Sequence, residues 1–192
     1  MKKGFLVLGI ILAVIVIFGI SLMSSYNNFV TLEENVDQSY AQIENQLQRR
    51  LDLIPNLVNT VKGYASHEKE VIAEISDARA RLAGANTVEE EATANAELTG
   101  ALSRLLVVVE NYPDLKADKQ FTQLMDELSG TENRISVARK DYNDQVAVYN
   151  KKVKQFPGAL IAGMTGFDEK EYFTADPKAA EAPEVDFGGN GE

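Results

Sequence analysis

The chain's only histidine, His67, is followed by Glu68. His-Glu opens the metalloprotease helix motif His-Glu-x-x-His, in which two imidazoles one turn apart hold zinc and the glutamate activates water. The position that should supply the second imidazole is Val71, so that site is incomplete. A di-iron or di-manganese carboxylate centre in a helical bundle needs two Glu-x-x-His pairs, and the residue three before His67 is Tyr64. No Gly-x-Ser-x-Gly elbow, Gly-x-x-x-x-Gly-Lys loop or Gly-x-Gly-x-x-Gly turn is present. With no cysteine anywhere, thiol catalysis, thiolate metal sites, disulfides and an N-terminal lipidated cysteine are excluded. His67 therefore reads as a lone exposed helix histidine, and no catalytic residue, metal ligand or cofactor site is assigned. The expectation is a protein that is not an enzyme.

The charged residues fit structural roles. Glu89-Glu90-Glu91 stand where a helix start favours negative charge. Arg49 and Arg50, with Asp52, interrupt an apolar stripe, and Arg50 falls near its seam. A buried ion pair is one reading; a solvent-snorkelling pair is the commoner one. A net charge of -10 over 192 residues leaves no basic patch able to release counterions from a phosphate backbone, which argues against nucleic acid as a partner.

These residues need a scaffold, and the sequence describes one. Phe5–Met23 is an uncharged run of 19 residues that includes Leu12 and Phe18. At the helical rise it reaches about 28 Å, close to the hydrocarbon thickness of a bilayer. A cleavable signal is the competing reading, because Lys2 and Lys3 precede the run and Gly19 with Ser21 forms a small-x-small pair. The run exceeds a signal core and lacks Ala-x-Ala, which favours an uncleaved anchor over residues 1–24. Ser24–Gln48 contains Glu33, Glu34 and Asp37 but no Lys or Arg, so the positive-inside rule keeps the N-terminus cytoplasmic and the rest outside.

Beyond the anchor, the apolar residues Phe29, Val36, Tyr40, Ile43, Leu47, Leu51, Ile54, Val58, Val61, Ala65, Ile72, Ile75 and Leu82 step mostly by three, four or seven. That spacing predicts one helix face, also the pattern of a coiled coil, from about Ser25 to Ala83. A bend is expected at Pro55, which crowds the carbonyl of Leu51, and Gly63 with Ser66 marks a second weak point. Gly84, in a left-handed cap, and a Thr87-x-x-Glu90 capping box predict a reversal. The next helix presents Ala92, Leu98, Leu102, Leu105, Leu106 and Val109, and Tyr112-Pro113 stops it. A third stripe runs Phe121, Leu124, Met125, Leu128, Ile135, Ala138, Tyr142, Val146, Tyr149, Val153 and Phe156, through Gly130 without a change of phase. Lys151, Lys152 and Lys154 suit its C-terminus. Ala159–Phe173 is apolar but too glycine-rich for a long helix, and packing against the bundle end is expected. The fold class is all-α: a transmembrane helix, an antiparallel bundle of long helices over residues 25–173 with its first helix kinked near Pro55, and a disordered acidic tail over residues 174–192.

One string is distinctive: Gln46-Leu47-Gln48-Arg49-Arg50-Leu51-Asp52-Leu53-Ile54-Pro55-Asn56-Leu57-Val58, followed by Lys62-Gly63-Tyr64-Ala65 and His67-Glu68. It resembles the signature of the LemA family. Glu110-Asn111-Tyr112-Pro113-Asp114, Glu132-Asn133-Arg134, Ala138-Arg139 and Tyr142-Asn143 are similar to the family's later blocks, and Phe156-Pro157, Gly166-Phe167 and Tyr172-Phe173 to its closing segment. The resemblance covers Tyr26 to Phe173 in order. It implies a bacterial protein with an N-terminal transmembrane helix, an antiparallel helical domain and no established enzymatic activity, and it carries no catalytic residues over. The family is commonly described with a short N-terminus outside and the remainder cytoplasmic, opposite to the orientation the flanking lysines give; the lysine asymmetry is retained as the expectation.

Three functions follow: a scaffold binding a membrane or envelope protein, a sensor using the Pro55–Gly63 region as a bistable element, or a carrier with an apolar space near Ala92, Ala94 and Ala96. The bilayer is the first expected partner, and the long stripes also permit a homo-oligomer.

Overall fold

A computed structural model describes residues 2–174, with side chains from Leu8 onward except Val14. The expected tail lies outside these residues from position 175. Every regular element among the described residues is helical: α1 Lys2–Tyr64, α2 Lys69–Gly84, α3 Val88–Val109, α4 Pro113–Lys116, α5 Lys119–Lys154 and α6 Gly158–Thr165.

The chain divides into two compact units. Among the described residues, the first comprises 2–45 and 136–172, and the second 46–135 with 173–174. In the first unit, Phe29 is fully buried, with Tyr149 edge-on at 6.3 Å and Phe167 stacked at 5.0 Å between ring centroids. Tyr40 meets Tyr142 at 5.6 Å, and the Tyr142 hydroxyl donates to the Glu171 carbonyl. Buried Asn150 binds both backbone groups of Lys170, its Nδ2 donating to the carbonyl and its Oδ1 accepting from the amide. That pair of hydrogen bonds fixes the segment after α6, whose Ile161 and Ala162 are buried.

In the second unit, α2 and α3 pack on each other, with ion pairs from Arg81 to Glu97 and from Arg104 to Glu74. The turn between them departs from expectation. Gly84 remains in the helix, and Ala85 leaves it in an extended conformation. Asn86 makes the left-handed cap unnecessary: its Nδ2 donates to the Gly84 carbonyl, satisfying a group the helix end leaves orphaned. The capping box does form, with Thr87 Oγ1 accepting from the Glu90 amide at 3.2 Å. Glu90 reaches one residue further back than the standard box and accepts from the amide of Asn86.

The expectation of one helix from Ser25 to Ala83 is corrected. The stripe is buried as expected, apart from half-buried Tyr40, but α1 extends back through the apolar run and ends at Tyr64. The chain turns at Ala65–Glu68, the second weak point, where the Glu68 amide binds the Ala65 carbonyl. Pro55 does not interrupt the helix. Lacking an amide hydrogen, it leaves the Leu51 carbonyl without its normal intrahelical donor, in a side chain environment that is buried. Arg79 of α2 supplies the replacement, Nε donating to that carbonyl at 3.0 Å. The proline's vacancy is thus filled from a neighbouring helix.

Asp118 caps α5 by accepting from the Phe121 amide and also accepts from the Tyr64 hydroxyl. Those bonds, the amide first, hold its carboxyl below the ordinary 3.8, and the same contact raises the Tyr64 phenol above 10.0. α5 passes Gly130 as one helix, as expected, but Phe156 lies beyond its end and is exposed, as is Leu106 on α3.

Two outcomes are expected. Arg79→Met should cost about 1–3 kcal/mol, the penalty of an orphaned buried carbonyl. It should cost less in a Pro55→Ala background, where position 55 donates its own amide to Leu51; denaturant titration of the four proteins in detergent measures the coupling. The stability contributed by Asp118 should be complete above pH 3.8 and disappear as pH falls through its lowered native value. The gap between the wild-type chain and Asp118→Ala should therefore close on acidification.

Candidate functional site

Arg50 is the buried charge of the second unit, only 2 % exposed. The expected snorkelling is corrected. Arg50 shares its face of α1 with Leu47 and Ile54, both buried, and its guanidinium is taken up by neighbouring helices instead of reaching along α1 to water. Nη1 donates to Asn95 Oδ1 of α3 and to Glu132 Oε2 of α5, while Nη2 donates to Thr99 Oγ1 at 3.0 Å. Thr99 in turn donates to the Asn95 carbonyl, which orients its oxygen toward the arginine. Desolvation lowers the pKa of Arg50, opposed by the charge and hydrogen bond of Glu132. The side chain remains a cation at physiological pH, because a guanidinium does not deprotonate in proteins. Its Nε is buried without a partner.

Beside this cluster lies a recess of about 240 Å³ lined by Arg50, Thr99, Ser103, Met125, Ser129, Glu132 and Asn133, among others. It is smaller than the usual small-molecule pocket. Glu132 neutralises the arginine, so the recess offers no net positive charge to an anion. Hydroxyls from Thr99, Ser103 and Ser129 border it, but none has an imidazole or free carboxylate arranged as a base in the contacts observed. No cluster of three or more metal-ligating side chains occurs among the described residues. What the arrangement does chemically is hold three helices to one buried ion.

The remaining signature residues are dispersed. Arg49 is exposed and 3.9 Å from Glu127, and Asp52 accepts from Gln48. Asn56 offers its carbonyl to the Thr60 hydroxyl. Gly63 is in the last turn of α1. His67 is exposed in the turn between α1 and α2, not on a helix as expected. Glu68 accepts from the Tyr112 hydroxyl at 2.7 Å, and Pro113 opens α4. Asn133 lines the recess, and Arg134 is exposed. Arg139 and Asn143 are half-buried in the first unit, where Tyr142 is buried and Pro157 precedes α6. Among the described residues, two groups come together: Arg50, Glu132 and Asn133 at the recess, and Glu68 with Tyr112 beside the turn between α1 and α2. Asn95, Thr99 and Arg79 were not singled out from the sequence. Asn95 could have been, since it lies three residues before Leu98 on an otherwise apolar stripe.

The alanines behind the carrier reading are not an apolar chamber. Ala92 and Ala94 are buried, Ala96 is exposed, and the nearby groove of about 490 Å³ is lined by Arg81, Glu89, Glu90 and Glu97 as well as Ala94.

At the opposite extreme of polarity, the start of α1 includes an 18-residue window of mean hydropathy 2.5 with none of it buried. Leu12, Phe18 and Met23 are all exposed. This is the one helix among the described residues long and apolar enough to cross a membrane.

The LemA family model matches residues 39–187, spanning both the arginine cluster and the Asn150 clamp. The chain belongs to the LemA family. Among its relatives, the magnetosome protein MamQ of Magnetospirillum gryphiswaldense is 29% identical over 90% of this chain and 73% of its own length. Magnetosome protein MamQ 1 of Paramagnetospirillum magneticum is 29% identical over 85% of this chain and 70% of its own. Protein LemA of Metamycoplasma hominis is 25% identical over 81% of this chain and 71% of its own.

The cluster makes a graded prediction. Glu132→Ala should destabilise by about 3 kcal/mol, the low end for breaking a buried pair because Glu132 is partly hydrated. Arg50→Met with Glu132→Leu should recover most of that loss, since neither charge then remains unpaired. Chemical denaturation followed by circular dichroism compares them, and equal losses in both would exclude the buried charge as the cause.

Proposed function

We propose that this LemA-family chain is a membrane-anchored, non-enzymatic helical scaffold of the bacterial cell envelope that works by binding another membrane or envelope protein. The observation that carries this reading is α1: its exposed apolar run and its buried stripe belong to a single helix. A segment that water rejects is thereby joined without a linker to a domain that water tolerates. The buried charge of Arg50 is taken up by Asn95, Thr99 and Glu132 of the same unit, and surface recognition is the function with most support.

The proposed organisation is an anchor over residues 1–24, an antiparallel bundle over 25–173 with a bend at Pro55, and an acidic tail over 174–192. Antiparallel order is supported by the pairing itself. In the second unit, Arg81 meets Glu97 whereas the earlier Glu74 meets the later Arg104. In the first, Phe29 meets Tyr149 whereas the later Tyr40 meets the earlier Tyr142. Lys2 and Lys3 favour a cytoplasmic N-terminus and an extracytoplasmic bundle.

A second reading, coupling a signal across the membrane, draws on the same unbroken α1, which would carry a tilt of the anchor directly into the domain. Its test is Pro55→Ala, which should alter the response without unfolding the chain; an unchanged response removes it.

For the scaffold, crosslinking of the full-length chain in native membranes followed by mass spectrometry should return one reproducible protein partner, and should lose it when residues 1–24 are deleted. Repeated recovery of no partner rejects the reading. A reporter active only in the cytoplasm, fused after Glu192, should be silent; activity would reverse the orientation.

A further inference from the structure

The end of α5 and α6 present apolar side chains that the first unit does not cover. Phe156 is 86% exposed, Met164 72% and Leu160 49%. They recur every four residues, and Leu160 and Met164 therefore share one face of α6, while Ile161 and Ala162 face the protein. The stripe belongs to a fixed position. Gly158, at the start of α6, lies so close to the last turn of α5 that an added Cβ would stand 2.2 Å from the Lys152 carbonyl and 3.3 Å from the Phe29 ring. At the other end, Phe167 stacks on Phe29 and lies 5.6 Å from Tyr26. α6 is thus held at both ends against Tyr26 and Phe29.

Those two residues locate it relative to the apolar run. Along α1, Tyr26 lies about 5 Å and Phe29 about 9 Å beyond Met23, where the run ends. Passing along α5 from Tyr142 to Tyr149 moves the ring partner on α1 back from Tyr40 to Phe29, toward that same end. The five residues from Tyr149 to Lys154 continue about 8 Å further in that direction. Phe156 accordingly stands at the level at which α1 leaves the apolar run.

We propose that α6 is a second membrane contact: its Phe156, Leu160 and Met164 stripe lies in the boundary between lipid headgroups and acyl chains, beside the emerging anchor. The inference rests on α1 being the anchor. Its occupant is the bilayer, because the stripe is continuous in height with the segment assigned to lipid. Tyr26, 44% exposed at the same height, is the aromatic type enriched in that boundary. Lys151 and Lys152 in the last turn of α5 suit headgroup phosphates, but Asp168 and Glu169 follow closely and Lys154 is paired with Glu169. Local charge is mixed, so apolar insertion carries the contact, as in a short interfacial helix. The anchor is then held at two points, which restricts its rotation about its own axis.

Because the chain has no cysteine, single-site labels report the depth directly. Full-length Leu12→Cys, Phe156→Cys, Met164→Cys and Val137→Cys, each labelled with nitrobenzoxadiazole, are reconstituted into vesicles of phosphatidylethanolamine and phosphatidylglycerol. Val137 is the aqueous reference, 60% exposed on α5 well before its end. Circular dichroism confirms that each labelled chain is folded. Labels at 156 and 164 should lose most of their emission to doxyl-lipid quenchers and resist iodide, and raised salt should not change this. The label at 137 should do the reverse. Quenching at 156 and 164 by iodide, as at 137, with Leu12 still reached only by lipid quencher, overturns the proposal and leaves the anchor intact. All four labels open to iodide overturns both. Protection at 156 and 164 from both quenchers overturns it in favour of a second copy of the chain covering the stripe.

Discussion

A guanidinium removed from water must recover the hydration it has lost, and the second unit is arranged around that requirement. Arg50 finds Asn95 and Thr99 on α3 and Glu132 on α5, so one side chain on α1 binds α3 and α5 in the same region. An apolar residue there would gain from any greasy neighbour. Arginine only donates and needs acceptors at defined positions, so it rewards one arrangement of the helices and penalises nearby alternatives. The apolar stripes explain why the helices associate; the ion explains why they associate in one way.

Periodicity made the stripes legible, because burial along a helix imposes a spacing that survives in one dimension. Twelve of the thirteen stripe positions from Phe29 to Leu82 proved buried, and only Tyr40 is half-exposed. The helix end at Tyr64 was less legible. Pro55 was the stronger breaker by intrinsic chemistry, but its defect is repaired by Arg79, a residue 24 positions away whose help no local rule contains. Gly84 misled for a related reason, since the Asn86 side chain supplied locally what a left-handed glycine would have provided.

The candidate site shows the same division. Arg50 stood out because it fell on a seam, yet solvent exposure was the default for a long cationic side chain. Its burial depends on three acceptors brought from positions 95, 99 and 132, and only folding reveals that they converge. Phe156 erred in the opposite sense. It keeps the phase of the α5 stripe, but the helix has ended at Lys154, so phase no longer determines direction. The magnetosome and mycoplasma relatives are similar to this chain over most of its length, a similarity that includes the stretch in which those buried polar contacts lie.

Arg79 and the Leu51 carbonyl have a geometric corollary. Along the middle of a helix every carbonyl is normally occupied, so the backbone itself offers a neighbouring helix no mark that distinguishes one turn from the next. Pro55 cuts a single notch into that backbone, and Arg79 is the pawl that drops into it. Displacement of α2 by one turn, about 5.4 Å, would leave both notch and pawl empty. A residue known for disrupting helices serves here as the mark from which the position of a second helix is measured.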